Sequence, residues 1–185
     1  MKRYFTSDWH LNEDRIGVNG KPNLFYRPFF DVYKQNRTIL LNLKDSNFRN
    51  GDELIHLGDV EYKLDEESPW HLSYLRHVFP HSKFTLIKGN YDIDKLDYLS
   101  KYFDEMVDDK TIEINGKEYY LNHYPTKCID KSFSITGHIH GLWKVQKNMI
   151  NVGVDAWNYK PVSEDEIDFC RTGCEQYYDK DVFPY

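Results

Sequence analysis

Five short apolar runs in this sequence each stop on side chains that can bind a metal. Tyr4 to Ser7 stops at Asp8-Trp9-His10. Glu53 to Leu57 stops at Gly58-Asp59, and Phe84 to Ile87 at Gly89-Asn90-Tyr91-Asp92. Tyr119 to Leu121 stops at Asn122-His123, and Ser132 to Thr136 at Gly137-His138-Ile139-His140. In open α/β sheets, the carboxyl ends of the strands are where sites are built. Glycines before Asp59, Asn90 and His138 allow tight turns or a close approach of backbone. The ligand set is two Asp, one Asn and four His with no thiolate, too many for one tetrahedral zinc. It suits two octahedral-leaning divalent ions. Each piece alone is weak; the repeated strand-end placement carries the argument.

Between these runs lie helical patterns. Phe30, Tyr33, Leu40 and Leu43 keep a helical rhythm over about 29–46. Ser68-Pro69 fits an N-cap and first helical position, opening a helix to about Phe79. A short helix is expected over 94–102. Residues 11–28 are polar, hold Gly17, Gly20, Pro22 and Pro28, and read as a long loop. Later, Thr111 to Ile114 alternates, Asn115-Gly116 is a strong hairpin signal, and Met149 to Val154 is a last strand. Ser163 with Glu166 makes a capping box for a terminal helix. The first half therefore reads β-α-β-α-β and the second half as mostly antiparallel. Two sheets flanked by helices satisfy both.

A chain of 185 residues is expected to form a single domain over 1–185 and to bury one core without disulfides. The 16% aromatic share argues against disorder despite a mean hydropathy of −0.74. A net charge of −6 argues against long nucleic acid or anionic membrane as a partner. No stretch approaches the roughly 18 apolar residues of a membrane span. Cys128, Cys170 and Cys174 are odd in number and no apolar leader precedes the first strand, so a soluble, reducing, cytoplasmic setting is expected. Cys170 and Cys174 read as ordinary thiols, with no second Cys/His pair beside them.

In order and spacing, the strand-end residues resemble the calcineurin-like metallophosphoesterases, whose pattern is D-x-H, G-D, G-N-H-D, a His, then G-H-x-H. The match spans residues 4 to about 162. More narrowly, Arg27-Pro28-Phe29, His123-Tyr124-Pro125 and Asn151 through Tyr159 are similar to the small bacterial and phage phosphoesterases of that superfamily. The resemblance implies an α/β four-layer αββα sandwich, with two mixed sheets and a dinuclear metal centre at the strand ends. It implies that Asp8, His10 and His140 hold the first ion, that Asn90, His123 and His138 hold the second, and that Asp59 bridges both. Such a carboxylate holds ions about 3.5–4 Å apart, and a water between them becomes the in-line nucleophile. Mn²⁺ is the leading expectation, with Fe, Zn²⁺ or Ni²⁺ as alternatives. The implied function is hydrolysis of a small phosphoester or nucleotide, as a phosphodiesterase or a phosphatase. The rivals are a non-catalytic metal-dependent nucleotide sensor or scaffold, and a nuclease. The oligomeric state stays open.

One position departs from the pattern. Tyr91 stands where the family has the His given a general-acid role, with Asp92 after it to orient that group. A phenol has a pKa near 10 against about 6.5 for imidazole, so it is the poorer proton donor. The catalytic candidates are thus Asp59, Asn90, Tyr91 and Asp92, and Tyr91 is expected to line the leaving-group side. Restoring the imidazole (Tyr91→His) is expected to speed esters with poor leaving groups far more than p-nitrophenyl esters. Arg27 is a candidate phosphate clamp, since a guanidinium matches phosphate oxygens bidentately; the alternative is a loop Arg neutralising Asp31. Arg15 and Lys21 could add to an electropositive lip. Trp9 is expected in the core, His56 in a core strand, and His71, His77 and His81 on helix surface or loop. Asn122 could orient His123, bind phosphate or cap a turn. Asp155, Trp157, Asn158 and Tyr159 could close over substrate or pack the terminal helix.

Overall fold

The computed structural model describes residues 1–13, 27–29, 31–66 and 68–177. In chain order the elements are β1 (Arg3–Thr6), α1 (Val32–Asp45), β2 (Glu53–His56), α2 (Ser68–Val78), β3 (Lys83–Ile87), α3 (Leu96–Leu99), β4 (Glu105–Val107), β5 (Asp109–Ile114), β6 (Lys117–Asn122), β7 (Ser134–Thr136), β8 (Val145–Gln146), β9 (Met149–Asn151), β10 (Val162–Ser163) and α4 (Glu164–Gln176). They build two five-stranded sheets, ordered β10-β1-β2-β3-β4 and β5-β6-β7-β9-β8.

The first sheet is buried on both faces, so β1, β2 and β3 are buried at nearly every position and their side chains point alternately into two cores. Tyr4, Leu54, Phe84 and Leu86 join Ile39, Leu40 and Leu43 of α1 and Leu72 and Leu75 of α2 in one core. Their neighbours Phe5, Ile55 and Ile87 point the other way, into a second core with Tyr119, Leu121, Ile135 and Ile150 of the second sheet. Ile167 of α4 enters that second core, while Arg171 lies over the Tyr119 and Phe133 rings. The result is the expected α/β sandwich of two mixed sheets with helices on its flanks.

Local signals set several boundaries. Asn115 and Gly116 both take positive φ (51° and 75°), the turn that joins β5 to β6 in register. The Ser163 hydroxyl accepts from Glu166 N while the Glu166 carboxylate accepts from Ser163 N, closing the capping box of α4. The helix expected over 94–102 is shorter, a 3₁₀ turn at Ile93–Lys95 followed by α3.

The second half is mostly antiparallel, as expected, with β5–β6, β8–β9 and β10 against β1 all antiparallel, but β6–β7 and β7–β9 pair in parallel. Parallel pairing delivers the chain to the same sheet edge after β6 and after β7, and so sets His123 beside His138. His71 is also corrected: it is buried between α2 and α1, with Nε2 3.3 Å from Asn36 Nδ2, not on the helix surface. Trp9 and His56 are buried and meet edge to face at 4.6 Å. Arg15, Lys21 and Phe30 lie outside the described residues.

Candidate metal centre

The strand ends converge on one edge. Asp8, His10 and His140 each offer one ligand atom, and these atoms lie within 4.8 Å of one another; Asp59, His123 and His138 form a second such group. The two groups meet at Asp59. Its Oδ2 is 3.5 Å from His10 Nε2 and 3.4 Å from His123 Nε2. Asn90 Oδ1 stands 3.2 Å from His123 Nε2, and His138 Nδ1 is also 3.2 Å from that nitrogen. Asp8, His10, Asp59 and His123 are buried, His140 is half-buried, and Asn90 and His138 are exposed. The cluster therefore opens to solvent on the Asn90–His138 side.

Backbone conformation at these positions is unusual. Asp8, His10, Asp59, His138 and His140 all have positive φ, between 46° and 73°. L-residues pay roughly 1–2 kcal/mol each for this region. Such strain gathers where the surroundings over-determine a functional geometry. Trp9, between two of these residues, turns into the core and donates from Nε1 to Thr6 Oγ1 (2.8 Å). Two glycines make the convergence possible. A Cβ at Gly89 would sit 2.2 Å from Asp59 Oδ1 and 2.6 Å from Asp59 N. A Cβ at Gly58, whose φ is +92°, would sit 2.5 Å from His123 Nδ1.

The outer imidazole nitrogens are held by the protein. His123 Nδ1 lies 2.6 Å from the Leu57 carbonyl, and His140 Nδ1 lies 2.9 Å from Asp155 Oδ2. Both contacts require Nδ1–H to donate, which leaves each Nε2 lone pair facing the cluster. This is how metal-binding histidines are oriented. The electrostatics fit as well. Burial opposes the Asp59 carboxylate, but its contacts with His10 and His123 outweigh that and hold its pKa well below the usual range. Burial likewise opposes a charged His123, yet Asp59 and Asp8 raise it to about 9. Burial, helped by the charge on His123, lowers His138. Protons are held here where a cation would compete for the same atoms. Only hard or borderline O and N donors converge, so the residues present fit divalent ions.

The sequence model of one family, described as calcineurin-like phosphoesterase, matches residues 1–175. The chain belongs to this family. The uncharacterized protein MJ1445 of Methanocaldococcus jannaschii is 28% identical over 90% of this chain and 89% of its own length. The crystal structure of AQ665, a protein of unknown function from Aquifex aeolicus, is 29% identical. It covers 91% of this chain and 98% of that one with a TM-score of 0.69. The nuclease MPE of Pseudomonas putida shares the fold at 17% identity and a TM-score of 0.52, over 75% of this chain and 60% of that one.

Within this family member, two sequence expectations change, at Arg27 and Asp92, and at Asn122 one of the open alternatives is selected. Arg27 does not face substrate. Its guanidinium is buried, with Nε and Nη2 on the two Asp155 oxygens (2.8 and 2.9 Å), Nη1 on the Trp9 carbonyl (2.8 Å) and Nη2 on the Asp8 carbonyl. It braces the Asp8–His10 turn, and its carboxylate partner is Asp155 rather than Asp31. Asp92 does not orient a proton donor at position 91. It is buried and accepts from Asp59 N, Val60 N and Gly89 N, clamping two turns together. Burial, partly offset by these bonds, raises its pKa. Asn122 caps a turn by accepting from Tyr124 N. Tyr91 does stand at the cluster. Its N–H donates to Asp59 Oδ1 (2.9 Å), and its half-buried ring meets His10 edge-on at 4.9 Å.

Asp155 is the residue that sequence reasoning undervalued. It bonds both His140 and Arg27, and despite burial these two hold its pKa down at about 2. Asn151 adds a donation from Nδ2 to the His140 carbonyl. No local signal announces either role, since Arg27 and Asp155 lie 128 positions apart. No helix among the described residues is long and apolar enough to cross a membrane.

Proposed function

We propose that this protein is a metal-dependent hydrolase of a small phosphoester or nucleotide. Asp8, His10 and His140 hold one divalent ion, Asn90, His123 and His138 hold a second, and Asp59 spans the two. One observation carries this reading: Asp59 Oδ2 is nearly equidistant from His10 Nε2 and His123 Nε2, each in a different ligand group. The O/N donor set without thiolate favours Mn²⁺, with Fe, Zn²⁺ and Ni²⁺ as competitors. Two such ions, when bound, supply Lewis acidity at the phosphoryl group and a water of lowered pKa.

The chain's own residues do the rest. Leu57 O and Asp155 fix the ligand tautomers, Arg27 and Asp92 lock the turns, and Tyr91 faces the leaving group. The absence of an imidazole at position 91 favours good leaving groups. That same Tyr91 is the observation behind a second reading, a nucleotide sensor that binds metal without turnover. A net charge of −6 supports a small substrate over a long polyanion.

The decisive experiment strips the protein, reloads it with Mn²⁺, and follows p-nitrophenyl phosphate and bis(p-nitrophenyl) phosphate beside Asp59→Asn. Restored hydrolysis that the variant abolishes supports the hydrolase, and the rate ratio assigns diester or monoester preference. Metal uptake with neither ester turned over would leave the sensor.

A further inference from the structure

The ligand groups are each faced by an aromatic side chain. On the first, the Tyr91 ring lies 4.9 Å from His10, with Tyr62 5.4 Å behind it. On the second, the Tyr124 ring lies 4.9 Å from both His123 and His138. All three tyrosines are half-exposed, so none is consumed by the core. Tyr91 and Tyr124 thus flank the solvent-open side formed by Asn90 and His138. The Lys127 ammonium, on an exposed side chain, sits 5.0 Å over the Tyr124 ring and keeps positive charge at that wall.

A phosphomonoester has one organic arm and would use one wall. A diester has two, diverging from the same phosphorus. We propose that the substrate is a phosphodiester with a planar group on each arm, one received by Tyr91 and Tyr62 and the other by Tyr124. This deepens the hydrolase reading and rests on it. Planar rings stack on tyrosine whatever their hydrogen-bonding pattern, so the walls select for an aromatic or nucleobase arm rather than for a sequence. Hydrolysis consumes one water: a new P–O bond forms, the P–O bond to one arm breaks, and that arm's oxygen leaves with the electron pair. The water's protons go to the leaving oxygen or to solvent, and a monoester remains.

The test compares two diesters with the same leaving group, thymidine 5′-(p-nitrophenyl) phosphate and methyl p-nitrophenyl phosphate, on Mn²⁺-loaded protein. The thymidine ester should have kcat/KM about tenfold higher, carried by KM, as one stacked base implies. In Tyr124→Leu that gap should close to within about threefold, while Tyr124→Phe should keep it. Tyr91→Leu should raise KM for both esters alike, because both keep the p-nitrophenyl arm. Equal kcat/KM in the wild type, or a gap that survives Tyr124→Leu, overturns the proposal while leaving the hydrolase intact. Calorimetry with thymidine 5′-monophosphate against inorganic phosphate separates the other failure. If no ester turns over but the nucleotide binds about tenfold tighter, and loses this in Tyr124→Leu, the wall stands and hydrolysis does not. Equal binding in that case removes the wall as well.

Discussion

Asp59 and Glu61 are two residues apart, both buried, and opposite in character. Asp59 is ringed by imidazoles from β1, β6 and β7 ends, and their charge outweighs burial, so its carboxylate stays ionised. Around Glu61, burial dominates. His71 Nδ1 stands 3.8 Å away, beyond hydrogen-bond reach, and Asn12 Nδ2 donates to the other oxygen at 3.1 Å. Its pKa climbs to about 7. Asn12 also bonds Asn36 of α1 and Ser68 of α2. The Glu61 cluster is a polar plug that ties two helices to a loop, whereas the Asp59 cluster points several lone pairs at a shared space. Burial alone does not make a site; ligand atoms from several strand ends converging on one space do.

The widest gap between the two clusters should come from neutralising each carboxylate. Asp59→Asn should cut turnover by on the order of 10³-fold, because the group would hold both ions. Glu61→Gln should stay within about threefold, because this carboxyl bonds Asn12 and faces no ligand group. Steady-state rates on bis(p-nitrophenyl) phosphate measure both, and comparable losses would erase the distinction drawn here. Next in size is Gly89→Ala, whose Cβ would strike the Asp59 backbone and carboxylate. Overpacking there should cost about 3 kcal/mol in urea unfolding, while the open Gly116→Ala site lets the same measurement read φ strain without a clash.

Asp155→Asn sharpens the assignment at one step removed. It removes the negative charge and leaves one oxygen for which His140 Nδ1–H and the Arg27 guanidinium compete. Metal affinity should fall about 10–100-fold by competition with a chelator, the usual loss for an orienting partner. Unchanged affinity would mean His140 needs no such partner. The pH-dependent effect belongs to Glu61. Its folded pKa is raised above its unfolded value of 4.5, so the folded state holds the extra proton. Its contribution to stability should therefore be greatest below that value and be lost as pH rises through about 7, by on the order of 3 kcal/mol. Buried His56, held down at about 3, contributes in the opposite sense over the same window, so the decline is read as the difference in thermal unfolding between wild type and Glu61→Gln. A difference that stays constant with pH would reverse the account.

Features with local causes were legible in the chain. The Asn115-Gly116 turn and the Ser163–Glu166 box are short-range chemistry and formed where expected. So did the apolar runs, because β1, β2 and β3 must alternate between two cores. The short strands β4, β8 and β10 were not legible, since two or three residues carry no period and form only because a sheet edge is there to pair with. His71, by contrast, stands three residues after Ser68 and four before Leu75, on the face that the helical period buries. Its burial follows from how α2 packs on α1.

The sequence by itself determined which residue types stand at strand ends, their order, and hence the family. Strand ends, glycine turns and donor chemistry are local properties that a linear pattern can hold. Only the tertiary structure decided that Arg27 is a buried brace on Asp155, that Asp92 clamps turns rather than a proton donor, and that Asp59 stands between two ligand groups. Each depends on distances between segments tens of residues apart. Those distances follow from parallel pairing and from the packing of two sheets, in which a side chain's partner is set by space and not by its neighbours in the chain.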